Sequence, residues 1–134
     1  MQPVDQTRFA KGEGDCLSAC IATITGVPLA QVPPFCVQMD DSEWYAEFGA
    51  WLNERGLYPL SLSFEDDGAI AQHFEWARLF GSAVPWIACG PTARGRHAVV
   101  YVGAALFHDP NPFDRSGLFK VQDATLLLRA SVCV

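Results

Sequence analysis

The sequence predicts an α+β domain, with helices from its N-terminal half packed on an antiparallel sheet from its C-terminal part. Three observations lead there. Apolar residues recur at helical spacing in the first half, and short β-branched or aromatic runs bounded by Gly and Pro follow Pro85. No regular βα alternation or internal repeat joins the two parts. With 134 residues, 50% of them apolar and 12% aromatic, the chain suits one domain, residues 1–134, with its own core. The 18% of charged residues leaves little material for a disordered tail.

In chain order, Asp15 is placed to cap a helix that begins at Cys16 and carries Leu17, Cys20, Ile21 and Ile24 on one face. Gly26 and Pro28 end it. "PLAQVPPF" reads as a short helical turn and a loop. A second helix is expected over 41–55, with Trp44, Phe48, Trp51 and Leu52 forming an apolar stripe and Gly56 closing it. Residues 57–64, "LYPLSLSF", suit a strand that Pro59 pushes to a sheet edge. Asp66 and Asp67 open a third helix over 66–80, which Gly81 ends. "WIACG", "HAVVYVG" and "ALFHD" then read as strands, and "LFKVQDATLLLR" adds another.

Fifteen acidic against nine basic residues give a net charge of −6, which repels phosphate backbones, so nucleic acid is excluded as an expected partner. The N-terminal stretch lacks an apolar signal core, and no run approaches the roughly 20 residues of a spanning helix. No membrane partner is therefore expected, and the location is read as cytoplasmic. Five cysteines at no framework spacing are expected to be thiols, most of them small core residues.

Cys16 stands apart. A helix N-terminus presents unpaired N–H groups and the positive end of the peptide dipoles, both of which favour a thiolate. Gly12 and Gly14 leave the first turn open to approach, and the Cys16 N–H is placed to meet a substrate oxygen. A nucleophile also needs a base and an orienting group. Of the three histidines, His73 lies inside the third predicted helix beside Phe74 and Trp76. His97 opens a strand after the basic loop "PTARGR". Across the tight Gly103-Ala104 turn, residues 108–110 return opposite His97. Regular pairing sets His97 against His108 or Pro110, whereas a one-residue shift puts His97 and Asp109 on one face. Either way a carboxylate lies within a residue of the imidazole.

"GDCLSACIATITG" resembles the nucleophile segment of small papain-like cysteine peptidases, above all the bacteriocin-leader-processing, double-glycine group and related phage-borne proteins. "GRHAVVYVG" followed by "FHDPNP" resembles their histidine strand and the Asp-Pro after it. The resemblance implies a papain-like cysteine peptidase fold with Cys16 as nucleophile, His97 as general base and later acid, and Asp109 as the residue that orients the imidazole. It makes Gln6 the candidate for the side-chain amide that shares the oxyanion with the Cys16 N–H. Ten positions separate Gln6 from Cys16, more than is usual in the group, with "AKGEG" looping out between. The implied substrate is a peptide or protein, a host protein if the chain is phage-encoded. Exporter domains are not resembled, so double-glycine cleavage is not inherited with the fold.

The expected function is thus a thiol hydrolase acting through an acyl-enzyme on a peptide, isopeptide or other amide, without a cofactor or metal. Trp44, Trp86 and Phe113 are candidates to line a substrate groove, and Arg94 and Arg96 to meet an acidic substrate tail. One alternative is a non-catalytic binding protein on the same fold that occupies a host protein. Another is a metal site in which Cys16, Cys20 and Cys36 join a histidine, although the paired close-spaced knuckles of structural zinc sites are missing.

Overall fold

The computed structural model describes residues 1–10, 12–35, 37, 41–64 and 83–129. Among these it is α+β. Two α-helices, α1 (Cys16–Thr25) and α2 (Asp41–Asn53), accompany β1 (Leu57–Ser63), β2 (Pro85–Thr92), β3 (Gly95–Val102), β4 (Ala105–His108) and β5 (Asp123–Arg129). The third predicted helix, with Asp66, Asp67, His73 and Gly81, lies outside the described residues, as do Cys36 and Cys133.

The strands form one antiparallel sheet in the order β1-β5-β2-β3-β4. Pro59 has no N–H to give a ladder, and among the described residues β1 is an edge strand that pairs with β5 alone. Strand β5 is inserted between β1 and β2, a topology for which the sequence carries no local signal. Gly26 stops α1 in the left-handed conformation (φ 77°) and donates its N–H to Ala22.

Helix α1 packs on β3 and β2, and α2 on β1. Ala19, Cys20, Ile21 and Ala22 of α1 are fully buried with Phe48, Leu52, Ile87 and Val100. The small side chains of Ala19, Cys20 and Ala22 let the helix lie close to the sheet. A second cluster holds Trp86, Ala88, Val99, Val121, Ala124 and Leu126. Alternation along β2 and β3 sets it on the opposite face of the sheet.

The hairpin between β3 and β4 decides where the histidines point. Val102 pairs with Ala105 and Tyr101 with Leu106, but the next pair is Val100 with His108, so Phe107 is a bulged residue. The one-residue shift that the sequence left open lies within the strand pair and not in the turn. With His108 opposite Val100, the chain leaves β4 at Asp109, whose carboxylate meets the His97 imidazole.

Candidate active site

His97 and Asp109 meet at 2.7 Å between Nε2 and Oδ1, with the Asp109 side chain 2% exposed. A carboxylate only accepts, so Nε2 carries a proton toward it. The Cys16 side chain acts on the same imidazole, through hydrogen bonding and through its charge. Burial works against a charged His97. The hydrogen bonds to Asp109 and Cys16 and their charges outweigh it, lifting the imidazole from 6.5 to about 9. His97 therefore holds a proton at neutral pH.

Asp109 is fixed by more than His97. Its Oδ1 also accepts the Asn111 N–H at 3.0 Å, and its Oδ2 the Gly117 N–H at 2.9 Å. Burial alone would raise the carboxyl, but the His97 and backbone hydrogen bonds hold it below its ordinary 3.8. The Asn111 bond closes an Asx-turn, which "DPN" encodes locally. Gly90 stands opposite His97 on β2, where the Lys120 carbonyl occupies the space that a Cβ would need. Glycine there lets the segment before β5 cross close to the histidine.

Cys16 begins α1, where helix geometry leaves the first N–H groups without helical acceptors. Asp15 occupies the N-cap position, but its carboxylate does not cap the helix, contrary to the sequence expectation. Instead Oδ1 accepts the N–H groups of Thr7 and Arg8, each at 2.9 Å, and Oδ2 the Thr7 hydroxyl at 2.8 Å. That ties the N-terminal segment to the start of the helix. Between them, the Glu13 N–H meets the Ala10 carbonyl at 2.9 Å and Gly12 takes φ 79°. Gln6 is buried as a result, its Nε2 donating to the Arg8 carbonyl at 2.9 Å and its main-chain N–H to Pro110 at 2.8 Å. Its Oε1 is buried without a partner among the described residues. Placing Nε2 toward Arg8 is the only orientation in which that contact is a hydrogen bond, and it leaves one amide hydrogen over.

The chain matches no family model, no curated protein and no solved structure. What these residues do rests on their geometry and chemistry.

The other candidates are placed differently. Trp86, expected beside a groove, is 4% exposed in the second cluster, stacked on Tyr101 with its indole N–H on the Gly103 carbonyl at 2.8 Å. Its apolar bulk and single donor are satisfied inside the core, which corrects the groove assignment. Trp44 is half-buried in the first cluster on α2, its ring against Tyr45 and Phe48. Arg96 is held on the sheet surface by Gln122 at 3.1 Å and by an ion pair with Asp123. Phe113 is 75% exposed and meets the Phe9 ring at 5.2 Å.

None of Cys16, Cys20 and Cys89 is in a disulfide. Cys20 is a core thiol pushed well up, first by burial and then by Cys16, Cys89 and Asp109. Among the described residues no three His, Cys, Asp or Glu side chains are grouped to hold a metal ion, and Cys36 lies outside them. Among the described residues no helix is long and apolar enough to cross a membrane. Sequence reasoning missed Asp5, Asn111, Arg115 and Gly117 as partners of the site. The Asx-turn signal of "DPN" pointed to one of them.

Proposed function

We propose that the protein is a cysteine-dependent hydrolase of papain-like type, acting on an amide or related acyl bond of a peptide or protein through an acyl-enzyme. The observation that carries this reading is His97, half-buried, with one ring nitrogen fixed by the Asp109 carboxylate and with the Cys16 thiol acting on the same ring. A helix N-terminus bearing the cysteine against an antiparallel sheet bearing the histidine agrees with the papain-like resemblance.

In this mechanism Cys16 Sγ adds to the substrate carbonyl carbon while the thiol proton resides on His97 Nδ1. The Cys16 N–H and the remaining hydrogen on Gln6 Nε2 receive the oxyanion. Collapse breaks the C–N bond. The departing amine takes the proton from His97, leaving a thioester on Cys16. Neutral His97 then removes a proton from water as it adds to the thioester. The second collapse releases the carboxylic acid and returns the proton to the Cys16–His97 pair. Asp109 remains ionised throughout and holds the ring in place.

Labelling with a cysteine-directed electrophile between about pH 5 and 9, with the adduct located by mass spectrometry, tests the reading. Cys16 is expected to react faster at low pH than an ordinary thiol, and to lose that advantage in His97→Ala. Slow, His97-independent labelling would overturn the hydrolase reading and turn the search to binding partners.

A further inference from the structure

We propose that Asp5 and Arg115 form a positioning clasp that holds the Asp109 carboxylate and the Gln6 amide in one frame. The inference rests on the hydrolase reading above and concerns residues outside both the Cys16–His97–Asp109 set and the family resemblance. Arg115 Nη1 donates to the main-chain carbonyl of Asp109 at 2.6 Å. The same guanidinium forks onto both oxygens of Asp5, Nη1 to Oδ1 at 2.9 Å and Nη2 to Oδ2 at 3.0 Å. Directly beside the fork, the Gln6 N–H donates to Pro110. Residues 5 and 6 are thereby joined to 109, 110 and 115, across almost the whole length of the chain.

Neither segment has regular secondary structure to hold it. Residues 5–8 and 109–117 lie outside every helix and strand, so their side-chain positions depend on tethers of this kind. The Asp109 side chain is anchored by His97, Asn111 and Gly117, and Arg115 anchors its main chain. Asp15 holds the other end of the N-terminal segment through Thr7 and Arg8. His108 completes the cluster, its Nε2 facing Asp5 Oδ1 at 3.0 Å and the Val4 carbonyl at 3.2 Å.

Stability alone is a poor reason for such a pair. Both side chains are over two-fifths exposed, 47% for Arg115 and 42% for Asp5, and exposed ion pairs contribute little to folding. Geometry is a better one. A planar fork fixes direction as well as distance, which a lysine does not do. A small displacement of Asp109 weakens its short bond to His97, and a small displacement of Gln6 moves its amide from the oxyanion.

The clasp is tested by NMR titration of the His97 imidazole, together with Cys16 alkylation at about pH 6, in wild type, Arg115→Ala, Arg115→Lys and Asp5→Asn. The groups acting on His97 are Asp109 and Cys16, and Asp114 senses its charge. None of these three is altered in the variants, and losing the Arg115 charge, which is felt at Asp109, would by itself raise the proton affinity of His97, so a fall reports displacement of Asp109. Wild-type His97 is expected to titrate near 9. Arg115→Ala should lower its proton affinity about tenfold and slow Cys16 alkylation, with Arg115→Lys and Asp5→Asn falling between. A folded Arg115→Ala that keeps the wild-type midpoint and alkylation rate would overturn the clasp. Should that variant not fold, unmoved midpoints in Arg115→Lys and Asp5→Asn would do the same. A wild-type midpoint at the ordinary value with slow alkylation would overturn the hydrolase reading itself, an outcome distinct from the failure of the clasp alone.

Discussion

Two imidazole–carboxylate pairs stand side by side in this protein, and they differ in everything except composition. His97 meets Asp109 at 2.7 Å, with the carboxylate 2% exposed and satisfied by two further N–H groups. His108 meets Asp5 at 3.0 Å, with the carboxylate 42% exposed and already forked by Arg115. The other neighbour of the His97 ring is a thiol, whereas His108 Nε2 also faces a main-chain carbonyl. A carboxylate beside a histidine is therefore not itself a site. The imidazole must stand between that carboxylate and a nucleophile, in surroundings dry enough for the charges to matter. A single bulged residue, Phe107, contributes to the separation: it sets His108 opposite Val100, where regular pairing would set Phe107, and leaves Asp109 to meet His97.

The largest expected effect breaks this comparison directly. His97→Ala should lower turnover of any accepted substrate, and Cys16 alkylation at acid pH, by about 10²–10⁴-fold, because it removes the proton carrier from the reacting sulfur. His108→Ala should lower both no more than a few-fold, since it trims only the rim of the clasp. Parallel alkylation rates check both, and equal losses in the two variants would mean that the pairs are not functionally distinct.

Asp109→Ala sharpens the same contrast through stability. It leaves His97 and two N–H groups without their buried acceptor, so it should cost about 3 kcal/mol near pH 6, measured by urea unfolding. The pH dependence has a defined sign. His97 is raised, so its contribution is full below 6.5 and disappears as pH rises through about 9. Asp109 is lowered, so its contribution is present above 3.8 and is lost as pH falls below that. The gap between wild type and variant should be widest between about pH 4 and 6.5 and should shrink on either side. The alkaline limb of turnover should follow His97 as well, falling near 9 as the general acid loses its proton. A gap independent of pH would show that Asp109 contributes packing only.

Gly90→Ala approaches His97 from behind. The added methyl meets the Lys120 carbonyl, a backbone atom with no rotamer to relieve it. A cost of about 1–3 kcal/mol is expected by thermal melting, as for other overpacked positions. Displacement of the segment that supplies the Gly117 N–H should also reduce Cys16 alkylation. An unchanged rate would show that the Asp109 anchor tolerates movement.

The α1 stop at Gly26, the edge position of Pro59 and the division into helices and sheet were legible in the sequence, because each follows from local spacing or from what Gly and Pro permit. Cys16, His97 and Asp109 were legible as residue types at element ends. Their juxtaposition was not, since it depends on Phe107 bulging, and nothing in "ALFHD" distinguishes a bulge from regular pairing. Asp15 was read as a cap because an acid before a helix usually is one. Its carboxylate instead took two N–H groups from a segment that only the tertiary fold brings near. Arg115 was invisible for the same reason: its partner Asp5 lies at the other end of the chain. Trp86 was misread because a large aromatic suits a groove and a core equally well, and only its neighbours decide between them.

Arg96→Gln is the smallest change and the one that separates the surface of the sheet from the site one residue away. Arg96 is 58% exposed and paired with Asp123, so its loss should alter stability by no more than about 1 kcal/mol. Its guanidinium is already engaged by Asp123 and Gln122, which leaves an acidic substrate to compete with an existing pair. Cys16 alkylation by a neutral and by an anionic electrophile should therefore change equally little in Arg96→Gln. Selective loss of the anionic reagent would show that Arg96 attracts negative charge to Cys16 and that its Asp123 pair opens for substrate. The position next to a candidate catalytic histidine would then belong to recognition as well as to the sheet.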